Sequence, residues 1–144
     1  MAEPAEILLV EDYEPDEQHL AIVLRRNRVT STLQVVRDGD EALDFLFCRG
    51  RFQNRNAKQF PKVILLDMRM PKVGGLEVLR QIKQDPRTRN IPVIVFTGSV
   101  FEQELEQARE LGAVGILPKP VEFSVLQSMC QQFGFIFIFA DQQP

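Results

Sequence analysis

The chain has 144 residues, of which 44% are hydrophobic and 26% charged, and carries a net charge of −3 at neutral pH. That size and apolar content suit one domain with a real core, and the near-neutral balance excludes a nucleic-acid binder that works through a general basic field. With no apolar run of spanning length and no N-terminal h-region, a cytoplasmic protein is expected, with Cys48 and Cys130 as reduced thiols outside any metal-type spacing.

Ile7 to Val10 is a short apolar run that stops at Glu11-Asp12. From about Asp16 to Arg26, Leu20, Ile22, Val23 and Leu24 recur at largely helical spacing. Thr32 to Val36 alternates as a strand does, and Gly39 to Phe47 is predicted helical with Ala42, Leu43, Phe45 and Leu46 apolar. Arg49 to Phe60 is a long loop carrying Arg49, Arg51, Arg55 and Lys58 and no acid, with a solvated insertion as its plainest reading. Val63-Ile64-Leu65-Leu66 then closes on Asp67, the pattern of a fully buried strand that delivers an acid to its C-terminal edge. Pro71-Lys72-Val73-Gly74-Gly75 is a loop by its breakers, and Leu76, Val78, Leu79 and Ile82 define another amphipathic helix. Ile91 to Phe96 is a fourth run, ending at Thr97. Phe101 to Leu111 is helical with Gly112 as its C-cap. Ala113 to Leu117 ends at Pro118-Lys119-Pro120, and Val121 to about Phe133 is the last helix.

Strand–helix units in this alternation predict an α/β domain with a doubly wound, five-stranded parallel sheet. One domain over residues 1–144 is expected, with a core at 6–133 and a tail at 134–144. In that tail, Phe133, Phe135, Phe137 and Phe139 stand among isoleucines. Such a segment must dock on the domain or on a second copy, because a free tail of this composition would aggregate. A homodimer is expected on that ground.

Ligands of parallel sheets bind off the carboxyl ends of the strands. Those ends deliver Glu11, Asp12, Asp67, Thr97 and Lys119. Converging carboxylates repel unless a cation compensates, and hard oxygen donors with open positions suit Mg²⁺. A lysine ammonium and a threonine hydroxyl suit phosphoryl oxygens. Together these groups can transfer a phosphoryl group to a carboxylate, with Asp67 on the central strand as acceptor. Each has a plainer reading: Asp67 as a helix or loop cap, Glu11-Asp12 as caps of the following helix, Thr97 and Lys119 as surface residues. His19 is expected on the solvent side of its helix, and Phe45, Phe47 and Phe101 in core or interface.

Val10-Glu11-Asp12, Leu65-Leu66-Asp67-Met68-Arg69-Met70-Pro71 with Gly75, Val95-Phe96-Thr97-Gly98-Ser99 and Leu117-Pro118-Lys119-Pro120 resemble the motifs of bacterial response-regulator receiver domains, in the family's order over residues 6–133. The resemblance implies a strand order of 2-1-3-4-5 and an Asp67 phosphorylated by a sensor histidine kinase. It implies Mg²⁺ held by Asp12, Asp67 and the Arg69 backbone carbonyl with Glu11 acting through water, and Thr97 and Lys119 on the phosphoryl group. It also implies a cis Lys119-Pro120 bond, and no catalysis beyond the domain's own phosphorylation and dephosphorylation. Glu41-Ala42-Leu43-Asp44-Phe45-Leu46-Phe47, the loop after it, Glu77-Val78-Leu79 and the extended C-terminus resemble small single-domain regulators that partner phytochrome-type kinases. This implies signalling by protein contact or phosphotransfer to a downstream partner.

Three positions depart from the family pattern. Ile116 stands where the receiver switch usually has Tyr or Phe, Tyr13 where a small polar residue commonly follows the acid pair, and Pro118 directly before Lys119. Ile116 keeps a second reading open, a receiver-like scaffold that binds partners without phosphorylation. A hydrolase of the haloacid-dehalogenase kind needs a second acid where Arg69 stands.

Overall fold

The computed structural model describes residues 5–70, 73–98 and 101–140. Five parallel strands, β1 (Ile7–Val10), β2 (Leu33–Val36), β3 (Val63–Leu66), β4 (Val93–Thr97) and β5 (Gly115–Pro118), lie in the order β2-β1-β3-β4-β5. The helices α1 (Glu14–Arg26), α2 (Gly39–Leu46), α3 (Gly75–Gln84), α4 (Glu102–Glu110) and α5 (Phe123–Gln132) follow the strands in turn.

The continuous apolar runs reflect a sheet covered on both faces. Successive strand residues point to opposite sides. Leu8, Val10, Ile64, Leu66, Val93 and Val95 pack with α2, α3 and α4 on one side. Ile7, Leu9, Val63, Leu65, Ile94, Phe96 and Leu117 pack with α1 and α5 on the other. Parallel register sets Val10 beside both Val36 and Leu66, and Thr97 beside Pro118. The residues one step beyond the strands therefore meet at a single edge.

Several boundaries differ from the apolar pattern for local reasons. α1 begins at Glu14 because Pro15 is tolerated in a first turn that needs no N–H donor. β4 begins at Val93, since Pro92 has no N–H to give the ladder. β5 starts at Gly115 because Gly112 (φ +108°) and Ala113 are used to close α4, donating to the Arg109 and Ala108 carbonyls.

Residues 49–60 are mostly exposed, as a solvated insertion should be, with Phe52, Arg55 and Phe60 half-buried and anchoring the segment. A short 3₁₀ turn at Gly50–Phe52 lets Phe52 meet the Phe45 ring edge-on at 5.0 Å. Arg55 donates to the Phe45 and Gln59 carbonyls at 2.8 and 2.6 Å, with its guanidinium 4.2 Å from the Phe45 ring centre.

The C-terminal tail docks on its own domain. Phe135 and Phe137 are buried while Ile136 and Ile138 face outward. Phe137 sits 5.1 Å from Phe135 and 5.6 Å from Phe123 of α5. The tail pairs antiparallel with the segment before β2 through Val29 and Phe139, and Thr30 N–H donates to Ile138 O at 2.7 Å. Period-two burial without membership in the main sheet explains the alternating Phe and Ile.

Candidate functional site

Glu11 and Asp67 each stand one residue past the end of a strand. Glu11 N–H donates to Val36 O at 2.9 Å and Asp67 N–H to Val10 O at 3.0 Å, so the ladder itself places them. Lys119 is placed likewise, its N–H donating to Thr97 O at 2.9 Å, immediately before the cis Lys119–Pro120 bond. Gly75 opens α3 behind Asp67. A Cβ there would meet Met68 Cα at 2.6 Å and Asp67 O at 2.7 Å, a close approach only glycine allows.

The Lys119 ammonium lies 2.6 Å from Glu11 Oε2, 2.8 Å from Asp16 Oδ2 and 3.7 Å from Asp67 Oδ2. Glu11 is fully buried, Asp67 and Thr97 nearly so, and Asp12 is exposed. Burial pushes the Glu11 carboxyl up to about 7, with Asp67 adding to the rise and Lys119 opposing it. For Lys119, burial works against the ammonium. Its bonds to Asp16 and Glu11 and the charge of Asp67 outweigh that, so its pKa rises.

Glu11, Asp12 and Asp67 each bring one carboxylate oxygen to within 4.8 Å of the others, the donor set of a small hard cation. Glu11 is the least free of them, because Oε1 also accepts the Tyr13 N–H at 3.2 Å. Asp67 Oδ1 accepts the Arg69 N–H at 3.1 Å, which holds the residue after next against the acid.

None of these acids is a helix N-cap, although Asp67 also caps its own loop through the Arg69 N–H. The N-cap of α1 is Tyr13, with no side-chain bond to the helix. Ile116 is half-buried and packs on the side of α3 and α4. His19 is exposed on α1, as its position suggested. Phe45 lies in the core and Phe47 packs against it, whereas Phe101 is exposed and the Arg69 guanidinium stacks 4.0 Å from its ring centre. Ser99 and Pro71 lie outside the described residues. Asp16 was missed from sequence. Its signal was its place on the first turn of α1, the helix that leaves the edge directly after Glu11 and Asp12.

Among the described residues, no helix is long and apolar enough to cross a membrane. The response regulator receiver domain model matches residues 7–131. The probable methanogenesis regulatory protein FilR2 of Methanothrix harundinacea is 37% identical over 145 residues, covering 99% of this chain and 89% of its own. Response regulator Rcp1 of Synechocystis is 38% identical over 128 residues, covering 89% of this chain and 85% of its own. The Mn²⁺-bound crystal structure of Rcp1 superposes with a TM-score of 0.73 at 37% identity, covering 90% of this chain and 91% of that one. The bacteriophytochrome response regulator AtBRR superposes with a TM-score of 0.85 at 38% identity, covering 98% of this chain and 100% of its own. A five-stranded sheet in this order, acids and lysine at its carboxyl edge, and matches over nearly the whole chain have one conclusion: this protein belongs to the response regulator receiver domain family.

Proposed function

We propose that this receiver domain is a single-domain response regulator, phosphorylated on Asp67 by a sensor histidine kinase of the phytochrome type in the presence of Mg²⁺. The observation that carries the reading is one largely enclosed ammonium, bonded to Glu11 and Asp16 and 3.7 Å from Asp67, at the edge where three carboxylates gather for a cation. In the transfer, an Asp67 carboxylate oxygen bonds to phosphorus while the bond from phosphorus to the kinase imidazole breaks, its electron pair leaving with the nitrogen. Lys119 and the Thr97 hydroxyl donate to the phosphoryl oxygens, and the buried surroundings strengthen both interactions.

Asp12, Asp67 and the Arg69 backbone carbonyl would hold Mg²⁺, with Glu11 acting through water because its oxygens are already engaged. The chemistry such an ion supplies is neutralisation of charge on the phosphoryl oxygens. The Mn²⁺ in the Rcp1 structure supports a divalent ion in this kind of site. The phytochrome assignment rests on relatives whose names carry it, AtBRR among them. The domain acts on no separate substrate in this reading, and it passes its signal in the cytoplasm by protein contact or phosphotransfer to a downstream partner. The outward Ile136 and Ile138 form an apolar strip suited to a homodimer.

Ile116, packed in place of a switching aromatic ring, favours the second reading of a scaffold that works without phosphorylation. Isothermal titration with Mg²⁺ and beryllofluoride separates the two. Binding that is lost in Asp67→Asn, together with loss of acetyl-phosphate labelling in that variant, supports the phosphoacceptor. A wild-type protein that binds no beryllofluoride and takes no label leaves the scaffold.

A further inference from the structure

An ammonium has three donors, and Lys119 has three carboxylates around it. Two are within hydrogen-bond distance, Glu11 at 2.6 Å and Asp16 at 2.8 Å; the acceptor Asp67, at 3.7 Å, is beyond it. Asp16 is therefore one of the two groups that keep Lys119 off the reactive acid. Among the described residues, the acids gathered for a metal are Glu11, Asp12 and Asp67, so Asp16 stands outside that set.

We propose that Asp16 is a positioning residue that competes with the phosphoryl group for Lys119, restraining the ammonium before transfer and releasing it afterwards. This rests on Asp67 being the phosphoacceptor. A phosphoryl group brings more negative charge than the carboxylate it joins, and oxygens that project further toward the lysine. The third donor is free for a first phosphoryl oxygen, but drawing the ammonium fully onto the group moves it away from one of the two carboxylates it now holds, and burial decides which. Glu11 has a fully buried side chain, and losing Lys119 would strand a carboxylate away from bulk solvent. Asp16 has a side chain 30% exposed, and water takes over its lone pairs when the ammonium leaves.

Release has a consequence at the surface. Asp16 borders a cleft of about 260 Å³ between α1 and the β5–α5 loop, lined also by His19, Gly98, Pro120 and Val121. Letting go of Lys119 uncovers a carboxylate there and unties α1 from that loop, a change that needs no motion at Ile116.

Isothermal titration of beryllofluoride at saturating Mg²⁺ tests the competition. Removing the competitor in Asp16→Asn should tighten binding about tenfold, the scale of one charge-assisted hydrogen bond discounted for solvent exposure. Asp16→Glu, which keeps the competing charge, should stay near wild type. In a Lys119→Ala background, Asp16→Asn should change nothing, because the competition is for that lysine. Unchanged or weaker binding in Asp16→Asn overturns the proposal. So does an equal gain without Lys119, which would mark a general charge effect, or an equal gain in Asp16→Glu. A wild-type protein that fails to bind would remove the phosphoacceptor reading and this inference with it; wild-type binding with an unaltered Asp16→Asn removes this inference alone.

Discussion

The tail offers a sharp test, because neighbouring residues on one short segment should behave oppositely. Phe137 is 3% exposed and Ile136 is 72% exposed. Burying a phenylalanine side chain removes roughly 150–200 Å² from water, worth about 4 kcal/mol at ~25 cal/mol per Å². Truncating it to alanine falls in the usual range of about 3–5 kcal/mol. The core need not unfold to relieve that loss, since the tail is held by its own rings and by backbone bonds to the segment before β2. Undocking is therefore the expected response, and hydrogen exchange reads it at the two amides that bridge tail and body. These are Thr30 N–H on Ile138 O at 2.7 Å and Ala140 N–H on Arg28 O at 2.8 Å. At about 1.4 kcal/mol per tenfold, Phe137→Ala should cut protection of both by roughly a hundredfold or more until the tail is fully undocked, with Asp67 N–H in the sheet unaffected. Ile136→Ala should change protection by less than about threefold at concentrations where the protein is monomeric. Equal effects of the two substitutions, or a larger one at Ile136, would refute the inward-Phe, outward-Ile docking.

Gly75→Ala should destabilise by about 1–3 kcal/mol in urea unfolding, because its Cβ must displace the Asp67–Met68 backbone, and it should weaken beryllofluoride binding by moving the acid. A stability change below about 0.5 kcal/mol would mean the close approach is not rigid. Cys130 is buried and its thiol is pushed up to about 11, so iodoacetamide should modify the half-buried Cys48 in the native protein and reach Cys130 only on unfolding. A thiol whose pKa rises on folding contributes fully below its unfolded value near 9. That contribution is lost as pH climbs toward 11, on the order of 2 kcal/mol, and Cys130→Ala should flatten this alkaline decline.

Much of the fold was legible because both relevant periods were clean. Branched apolar runs bounded by acids, threonine or proline marked strands, and Leu20 to Leu24 or Leu76 to Ile82 marked helices facing them. The misplaced ends share a cause. Pro15, Pro92 and Gly112 act through backbone donors and dihedrals rather than hydrophobicity, so the apolar pattern does not register them. The loop at 49–60 is largely solvated, as read, but its anchor was not legible: Arg55 spends its charge on carbonyls and on the Phe45 ring, and composition does not show such partners.

Asp67, Glu11, Asp12, Thr97 and Lys119 could be chosen from sequence because strand ends of a parallel sheet share one edge whatever the details of packing. Which carboxylate holds Lys119 could not. That depends on distances between side chains from β1, α1, β3 and β5, and on the burial that makes Glu11 costly and Asp16 cheap to separate from it. The side on which the tail's phenylalanines dock was equally undecided, because period two says that alternate residues share a face and not what covers it. Local sequence determined the elements and the chemistry available at their ends; the tertiary structure decided which charges meet, because electrostatic partnership depends on distance and solvent access rather than on order along the chain.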